Sequence, residues 1–229
     1  APALDPAAVD AGAVGFRLGP RINAAGRLGH PRAALELLLT DDADDARRLA
    51  DSLEDLNRDR QAVEGRIVRE AIAQVESWPE EQRNRRAYVV AGEDWHEGVI
   101  GIVASRLVER FNRPVVLVAG GEESWKGSGR SIPSFDLHGG LAACSELLER
   151  WGGHRAAAGL SIKPENLEEF ARRFADHAAG LLLEDDLQPV TQVDAIVPRG
   201  RRLTLELCAE LAQLAPFGLG NPAVTLLAA

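Results

Sequence analysis

The sequence predicts an α/β fold, in which one α/β domain follows a long connector helix and precedes the opening of a further unit. Three observations carry that reading. A polar stretch from Asp41 to Pro79 keeps helical spacing along its whole length. From residue 85 to residue 182, buried-strand runs alternate with amphipathic helical ones, the pattern of a layered α/β domain. From Gln188 onward a new strand-and-helix pattern begins.

Each element has its own justification. Residues 1–40 are rich in Gly and Ala, with one apolar helix-like run, "RAALELLLT"; "LGPRINAAGRLGHP" reads as a Gly-rich turn carrying Arg21, Asn23 and Arg27. In residues 41–79, Leu49, Leu53, Leu56, Val63, Ile67 and Ala71 recur at the three-and-four spacing of one helix face. Asp41, Asp42, Asp44 and Asp45 favour a helix N-terminus there, and Trp78 with Pro79 ends it. About 35 residues at 1.5 Å each reach roughly 50 Å. So long a helix with one modest apolar stripe suits a connector between lobes, and Gly65 and Arg60 mark places where it bends or leaves a packing surface. Next, "AYVVAG" reads as a buried strand, "GVIGIVASRLVERF" as a helix and "PVVLVAG" as a second buried strand. "WKGSGRSIPSF" is extended or looped, "LHGGLAACSELLER" helical and "AAAGLSI" strand-like. "PENLEEFARRFADHAAGLLL" is a helix with Pro164 near its first turn. Residues 188–229 supply a strand in "TQVDAIVP", a helix in "TLELCAELAQLAPF" and an ending that does not close a fold.

Composition bounds the class. The 229 residues are 45% hydrophobic and 27% charged, ordinary globular values. No apolar run approaches the ~20 residues of a membrane-spanning helix, so no membrane association is expected. Cys144 and Cys208 fit no metal-ligand spacing and read as small buried residues in a reducing compartment, with the cytoplasm as the expected location. The chain has no Met and opens "APALDP", which suggests a piece of a longer polypeptide. A net charge of −9 argues against generic polyanion binding. Two local strips run the other way. Arg17, Arg21, Arg27 and Arg32 lie in a stretch without acids, as do Lys126 and Arg130. An acidic body with two basic strips fits a protein that meets phosphates at a defined place; arginines balanced in space by distant acids would read the same.

Three stretches carry candidate chemistry. Trp95, His96 and Glu97 precede a helix beginning near Gly98, where free N–H groups make an anion site. The alternative is that Trp95 plugs the core and His96 caps the helix. In "WKGSGRS", a strand period of two puts Lys126, Ser128 and Arg130 on one face, an ammonium, a hydroxyl and a guanidinium suited to a terminal phosphate. A plain polar hairpin is the alternative. In "WGGHRAAAGL", Gly152 and Gly153 let the main chain approach a ligand, His154 can donate to a phosphate, and the small residues behind it leave room. No cluster of metal-ligand spacing, no nucleophile elbow and no Ser-His-Asp context is present, so the chain reads as one that binds.

"RLGPRINAAGRL", "WHEGVIGIVASRLVERFNRPVVL", "KGSGRS", "FDLHGGLAACSELLERWGGHRAAAGL" and "LAPFGLGNP" resemble, in this order, the bacterial RecJ family of the DHH phosphoesterase superfamily. The resemblance covers essentially the whole chain. It implies that residues 1–40 are the C-terminal end of a DHH catalytic domain and 41–79 an interdomain helix. Residues 85–182 would then be the DHH-associated α/β domain and 188–229 the beginning of an OB-fold domain. It implies 5′→3′ exonuclease action on single-stranded DNA in repair and recombination, with Mn²⁺ or Mg²⁺ held by Asp-rich and Asp-His-His motifs that this sequence lacks. The chain alone is therefore expected not to cleave DNA, and to supply substrate and phosphate binding. Ser128 and Arg130 would grip substrate phosphate, at a 5′-phosphate end of single-stranded DNA. His154 would face the scissile phosphate as a catalytic residue, with Gly152 and Gly153 in its loop. Arg27, Trp95, His96 and Lys126 would line the cleft. Two other readings remain: a DHH-type phosphodiesterase of oligonucleotides or cyclic dinucleotides, and a noncatalytic nucleic-acid-binding module.

Overall fold

The structure, a computed structural model, describes residues 5, 7, 9–218 and 220–228. Its contacts divide the chain into two units, residues 1–20 with 189–229 and residues 21–188. The short helix α1 (Ala11–Ala13), whose N-terminus is capped by the Asp10 carboxylate, runs into a π-helical turn over Val14–Leu18. Helix α2 (Gly19–Leu28) follows, where the sequence suggested a Gly-rich turn. Pro20 follows directly on the π-helical turn, with no break in the helical run before it, and Ala24 and Ala25 are fully buried. At Gly26 the missing side chain faces open space, so this glycine breaks no packing.

Helix α3 (Arg32–Leu39) is the apolar run, and α4 (Ala43–Ser77) is the long polar stretch as one helix of 35 residues. The Asp42 carboxylate accepts from the N–H groups of Asp44 and Asp45, each at 2.9 Å, which satisfies two of the donors a helix start leaves free. Its apolar stripe serves two clusters. Leu53 and Leu56 pack with Ala25 and Ala34, whereas Ile67, Ala71 and Val75 pack under the sheet. Between the clusters lies a polar break: Arg60 donates to Asn57 Oδ1 at 3.0 Å and pairs with Glu64, so its buried charge is compensated. The helix runs on past Gly65 without interruption. With Ile67 and Ala71 fully buried, α4 is part of the core and more than a connector.

A short turn of helix, α5 (Glu80–Arg83), leads into β1 (Tyr88–Gly92), α6 (Glu97–Phe111) and β2 (Val115–Ala119). This β-α-β unit makes the parallel pair β1–β2. Trp78, Tyr88 and Phe111 stack edge to face at 5.4 and 5.5 Å, which joins the ends of α4, β1 and α6. The chain continues with β3 (Trp125–Arg130), α7 (Leu137–Ala142), β4 (Leu148–His154), β5 (Ala157–Ile162) and α8 (Leu167–Leu181). The five strands form one sheet in the order β1-β2-β3-β5-β4, antiparallel from β2 onward. Helices α6 and α4 cover one face and α7 and α8 the other.

Two expectations are corrected here. The helix read over "LHGGLAACSELLER" stops at Ala142, and Leu148, Glu149 and Arg150 belong to β4. The spacing of "SELLER" suits a helix locally, but pairing of β4 with β5 overrides it. Gly152, Gly153 and His154, read as a loop, are the end of that strand; the turn is Arg155 and Ala156. In the other unit, β6 (Ala195–Val197) and β7 (Leu226–Ala228) form a parallel pair, with α9 (Leu205–Ala212) between them in sequence. Among the described residues, no helix is long and apolar enough to cross a membrane.

Candidate functional site

The site grows from the register of the sheet. Lys126, Ser128 and Arg130 alternate with Gly127 and Gly129 along β3, so the two sets face opposite ways. The glycines face the α7 side: a Cβ on Gly127 would meet Leu160 at 2.6 Å, and one on Gly129 would meet Leu137 at 3.0 Å. Ser128 and Arg130 face α6. There, a Cβ on Gly101 would lie 2.9 Å from Ser128 Oγ and 3.0 Å from Arg130 Nη2. Gly101 thus gives both side chains room to lie over the first turns of α6.

The floor and the far wall come from the α6 N-terminus and α2. A Cβ on Gly98 would lie 2.1 Å from the carbonyl oxygen of Arg27, so only glycine lets the two backbones meet. The Arg27 guanidinium donates back to the Gly98 carbonyl at 3.0 Å. The result is an open cleft of about 490 Å³ between α2, α6 and β3. Asn23, Arg27, Ser128 and Arg130 line it, with Glu97, Gly26 and the glycines of α6.

Its electrostatics are unbalanced. Arg130 donates to Ser128 Oγ at 3.2 Å and to the Gly129 carbonyl at 2.7 Å. Among the described residues, the acceptors that Arg27 and Arg130 reach are all neutral. Burial, and after it the neighbouring Arg27 charge, pull the Arg130 guanidinium below its ordinary pKa. Two partly dehydrated cations facing one space, beside a hydroxyl and a helix N-terminus, make a receptor for an anion with several acceptor oxygens. Glu97 adds one negative side chain in the first turn of α6, where the helix dipole favours it.

The structure sorts the candidate residues. Arg27, Ser128 and Arg130 converge on the cleft. Trp95 does not: it is buried, it fills the space over Gly92, and its indole N–H donates to Glu70 at 2.8 Å. His96 is the N-cap of α6, its Nδ1 accepting from the Gly98 N–H at 3.1 Å, and it lies outside the lining. Lys126 points away from the cleft lining to Ser161, donating to its Oγ at 2.9 Å. His154 stands exposed in the same register row as Arg130, with Ala157 between them, roughly 10 Å across two strand spacings. Gly153 has φ +142, and a Cβ there would meet the Ala157 carbonyl at 2.5 Å, so the fold demands that glycine. Around Gly152 nothing lies within 4 Å, so packing makes no such demand.

The N-terminal basic strip is resolved as well. Arg21 pairs with Glu54 and Arg32 with Glu36 at 2.7 Å, and of the four arginines of the strip Arg27 is the one that lines the cleft. Sequence reasoning missed Gly26 as a lining residue and named Glu97 only as part of the approach to α6; both take their place once α2 is seen as a helix abutting α6. Among the described residues, no three His, Cys, Asp or Glu side chains come together to hold a metal ion. Mn²⁺ or Mg²⁺ thus finds no ligand set there, and the cleft chemistry is that of its guanidiniums, hydroxyl and amides.

Comparison with known proteins places the chain and its fold. A DHHA1 domain model matches residues 84–180. The single-stranded-DNA-specific exonuclease RecJ of Bacillus subtilis is 40% identical over 211 residues, 91% of this chain and 26% of that protein. The crystal structure of RecJ from Thermus thermophilus in complex with Mg²⁺ matches with a TM-score of 0.81 at 39% identity. It covers 93% of this chain and 32% of its own. The same organism's RecJ in complex with Mn²⁺ matches at 0.80 and 38%. The chain spans about a third or less of these relatives. The chain belongs to the RecJ family, of which it carries the DHHA1 domain and the segments that flank it.

Proposed function

We propose that the cleft of Arg27, Ser128 and Arg130 holds the phosphorylated 5′ end of single-stranded DNA. The chain would then be the substrate-holding part of a longer 5′→3′ exonuclease whose metal-dependent hydrolysis is carried out by residues outside it. One observation carries the reading: two guanidiniums with neutral partners and a hydroxyl converge on the start of α6. A terminal phosphate monoester offers more acceptor oxygens and more charge than an internal phosphodiester, so such a receptor favours an end. In this reading residues 1–40 close a DHH catalytic domain, residues 41–79 connect it to residues 85–182, and residues 188–229 open an OB-fold. His154, exposed in the same register row as Arg130 two strands across, would face the next phosphate of the strand as the family's catalytic histidine does. A DNA end is met in the cytoplasm, where we expect the protein to act.

The test is fluorescence anisotropy with oligonucleotides bearing a 5′-phosphate or a 5′-hydroxyl. Charge-assisted hydrogen bonds of about 1.5–3 kcal/mol correspond to roughly 10- to 100-fold tighter binding of the phosphate form. Arg130→Ala is expected to abolish that preference. Equal affinity for both ends in the folded chain, or a cyclic dinucleotide bound more tightly than either, would overturn the reading.

A further inference from the structure

We infer that Lys126, Ser161 and Arg150 form a second phosphate station, which holds the backbone of the same DNA strand away from its end. The inference rests on the proposed function and extends it along the sheet. Three successive register rows cross β3, β5 and β4 on the α6 face. They are Arg130–Ala157–His154, Ser128–Gly159–Gly152 and Lys126–Ser161–Arg150. Helix α6 packs on β2 and β3, whereas Gly159, Gly152, Arg150 and His154 further along this face are exposed. The middle row is therefore a flat floor of backbone, and the cations stand at its two ends.

The Lys126 end has the features of a receptor. Ser161 is buried, only 7% exposed, although it sits on a face that carries a hydroxyl and two cations. Its Oγ accepts from Lys126 Nζ, which leaves its own hydroxyl proton for a ligand. Arg150 makes no ion pair among the described residues, and Lys126 has only that neutral partner. Arg150 and Ser161 line a shallow pocket of about 270 Å³ over the backbone of β5. Lys126 and Arg150 stand two strand spacings apart, roughly 10 Å, with the hydroxyl between them. A phosphodiester fits between such a pair: one oxygen takes the Ser161 proton and the charge is shared by the two cations.

The two outer rows are four residues apart along the strands, roughly 13 Å at about 3.3 Å per residue. That separation is the span of two nucleotides, so two nucleosides and the phosphate between them lie over the Gly152–Gly159 floor, and a 5′-phosphorylated dinucleotide stops short of the second station. That accounts for Gly152, which the packing of the fold does not require. A side chain there would stand in the path of the strand.

The experiment is anisotropy of the whole chain with 5′-phosphorylated oligothymidylates of two lengths, a dinucleotide and a dodecanucleotide, across a salt series. Arg150→Ala and Lys126→Ala are expected to weaken the dodecanucleotide by about three- to tenfold and to lower the slope of log affinity against log salt by about 0.7, the share of one phosphate on a single strand. Both variants should leave the dinucleotide affinity and the 5′-phosphate preference as in the parent, while Arg130→Ala removes that preference. Thermal melts of each variant matching the parent exclude unfolding, which the exposure of both side chains favours. An unchanged dodecanucleotide affinity and slope in Arg150→Ala, with Arg130→Ala still effective, would overturn the second station and leave the end-holding cleft standing. A folded parent chain that binds neither oligonucleotide would overturn both.

Discussion

Replacing Gly101 by Ala separates binding from folding. In the structure an added Cβ would sit 2.9 Å from Ser128 Oγ and 3.0 Å from Arg130 Nη2, well inside ordinary contact. Both neighbours are the ends of side chains on a cleft wall, so they retreat by a few tenths of an ångström and the backbone stays. Helix α6 itself gains, because Ala in a helix interior is favoured over Gly by about 0.5–1 kcal/mol. The melting temperature should hold or rise, by about 2–4 °C per kcal/mol for a chain of this size. The anion site loses: the guanidinium and hydroxyl no longer converge, and one charge-assisted bond of about 1.5–3 kcal/mol is worth roughly 10- to 100-fold in affinity. Gly98→Ala makes the contrast. Its Cβ would meet the Arg27 main-chain carbonyl at 2.1 Å, which cannot retreat without parting α2 from α6, an overpacking cost of about 1–3 kcal/mol. Anisotropy with a 5′-phosphorylated oligonucleotide and a thermal melt are the two assays. Unchanged affinity in a stable Gly101→Ala chain would refute the assignment of the anion to Ser128 and Arg130, and a lower melting temperature would refute the claim that side chains alone must yield.

Other outcomes follow from the same geometry. Trp95→Phe should cost about 1–2 kcal/mol in a urea titration, through the lost bond to Glu70 and lost volume, and leave oligonucleotide affinity as it was; a loss of affinity at constant stability would put Trp95 back on the cleft. Gly153→Ala should destabilise by about 1–3 kcal/mol because of its φ of +142 and the clash with Ala157, whereas Gly152→Ala should melt like the parent yet bind the dodecanucleotide more weakly. Equal melting of the two variants would contradict this. The hydrogen bond from Arg21 holds the Glu54 carboxyl below its ordinary pKa. The stability it contributes is therefore present above the usual carboxylate range and is lost as pH falls through that lowered value. The urea midpoint of Glu54→Gln should lie below the parent's near neutrality and converge with it in acid, and a gap that persists unchanged in acid would sink the assignment.

What could be read from residues alone was what depends on neighbours in the chain. The α4 stripe and its Asp42 cap are local, and the structure has both. The period of two along "WKGSGRS" correctly put Lys126, Ser128 and Arg130 on one face. Where α6 crosses that face is not local. It covers the Arg130 end, so Ser128 and Arg130 line the cleft while Lys126 turns to Ser161, 35 residues on. Arg27 reaches Gly98 across 71 residues, and no spacing in either segment announces that contact. Strand β4 was read as helix for the same reason: the pairing that makes it a strand lies in β5, beyond the window in which "SELLER" looks helical. Trp95 beside His96 has the look of a ligand wall in sequence, and only Gly92 and Glu70 from other elements reveal it as core.

The central claim is that Arg27, Ser128 and Arg130 together receive a terminal phosphate. A crystal structure of the chain with a 5′-phosphorylated thymidine dinucleotide tests it most directly. The account predicts the terminal phosphate in the cleft, within hydrogen-bond reach of both guanidiniums and the Ser128 hydroxyl. A dinucleotide bound with its terminal phosphate elsewhere, or with its 3′ end in the cleft, would contradict it.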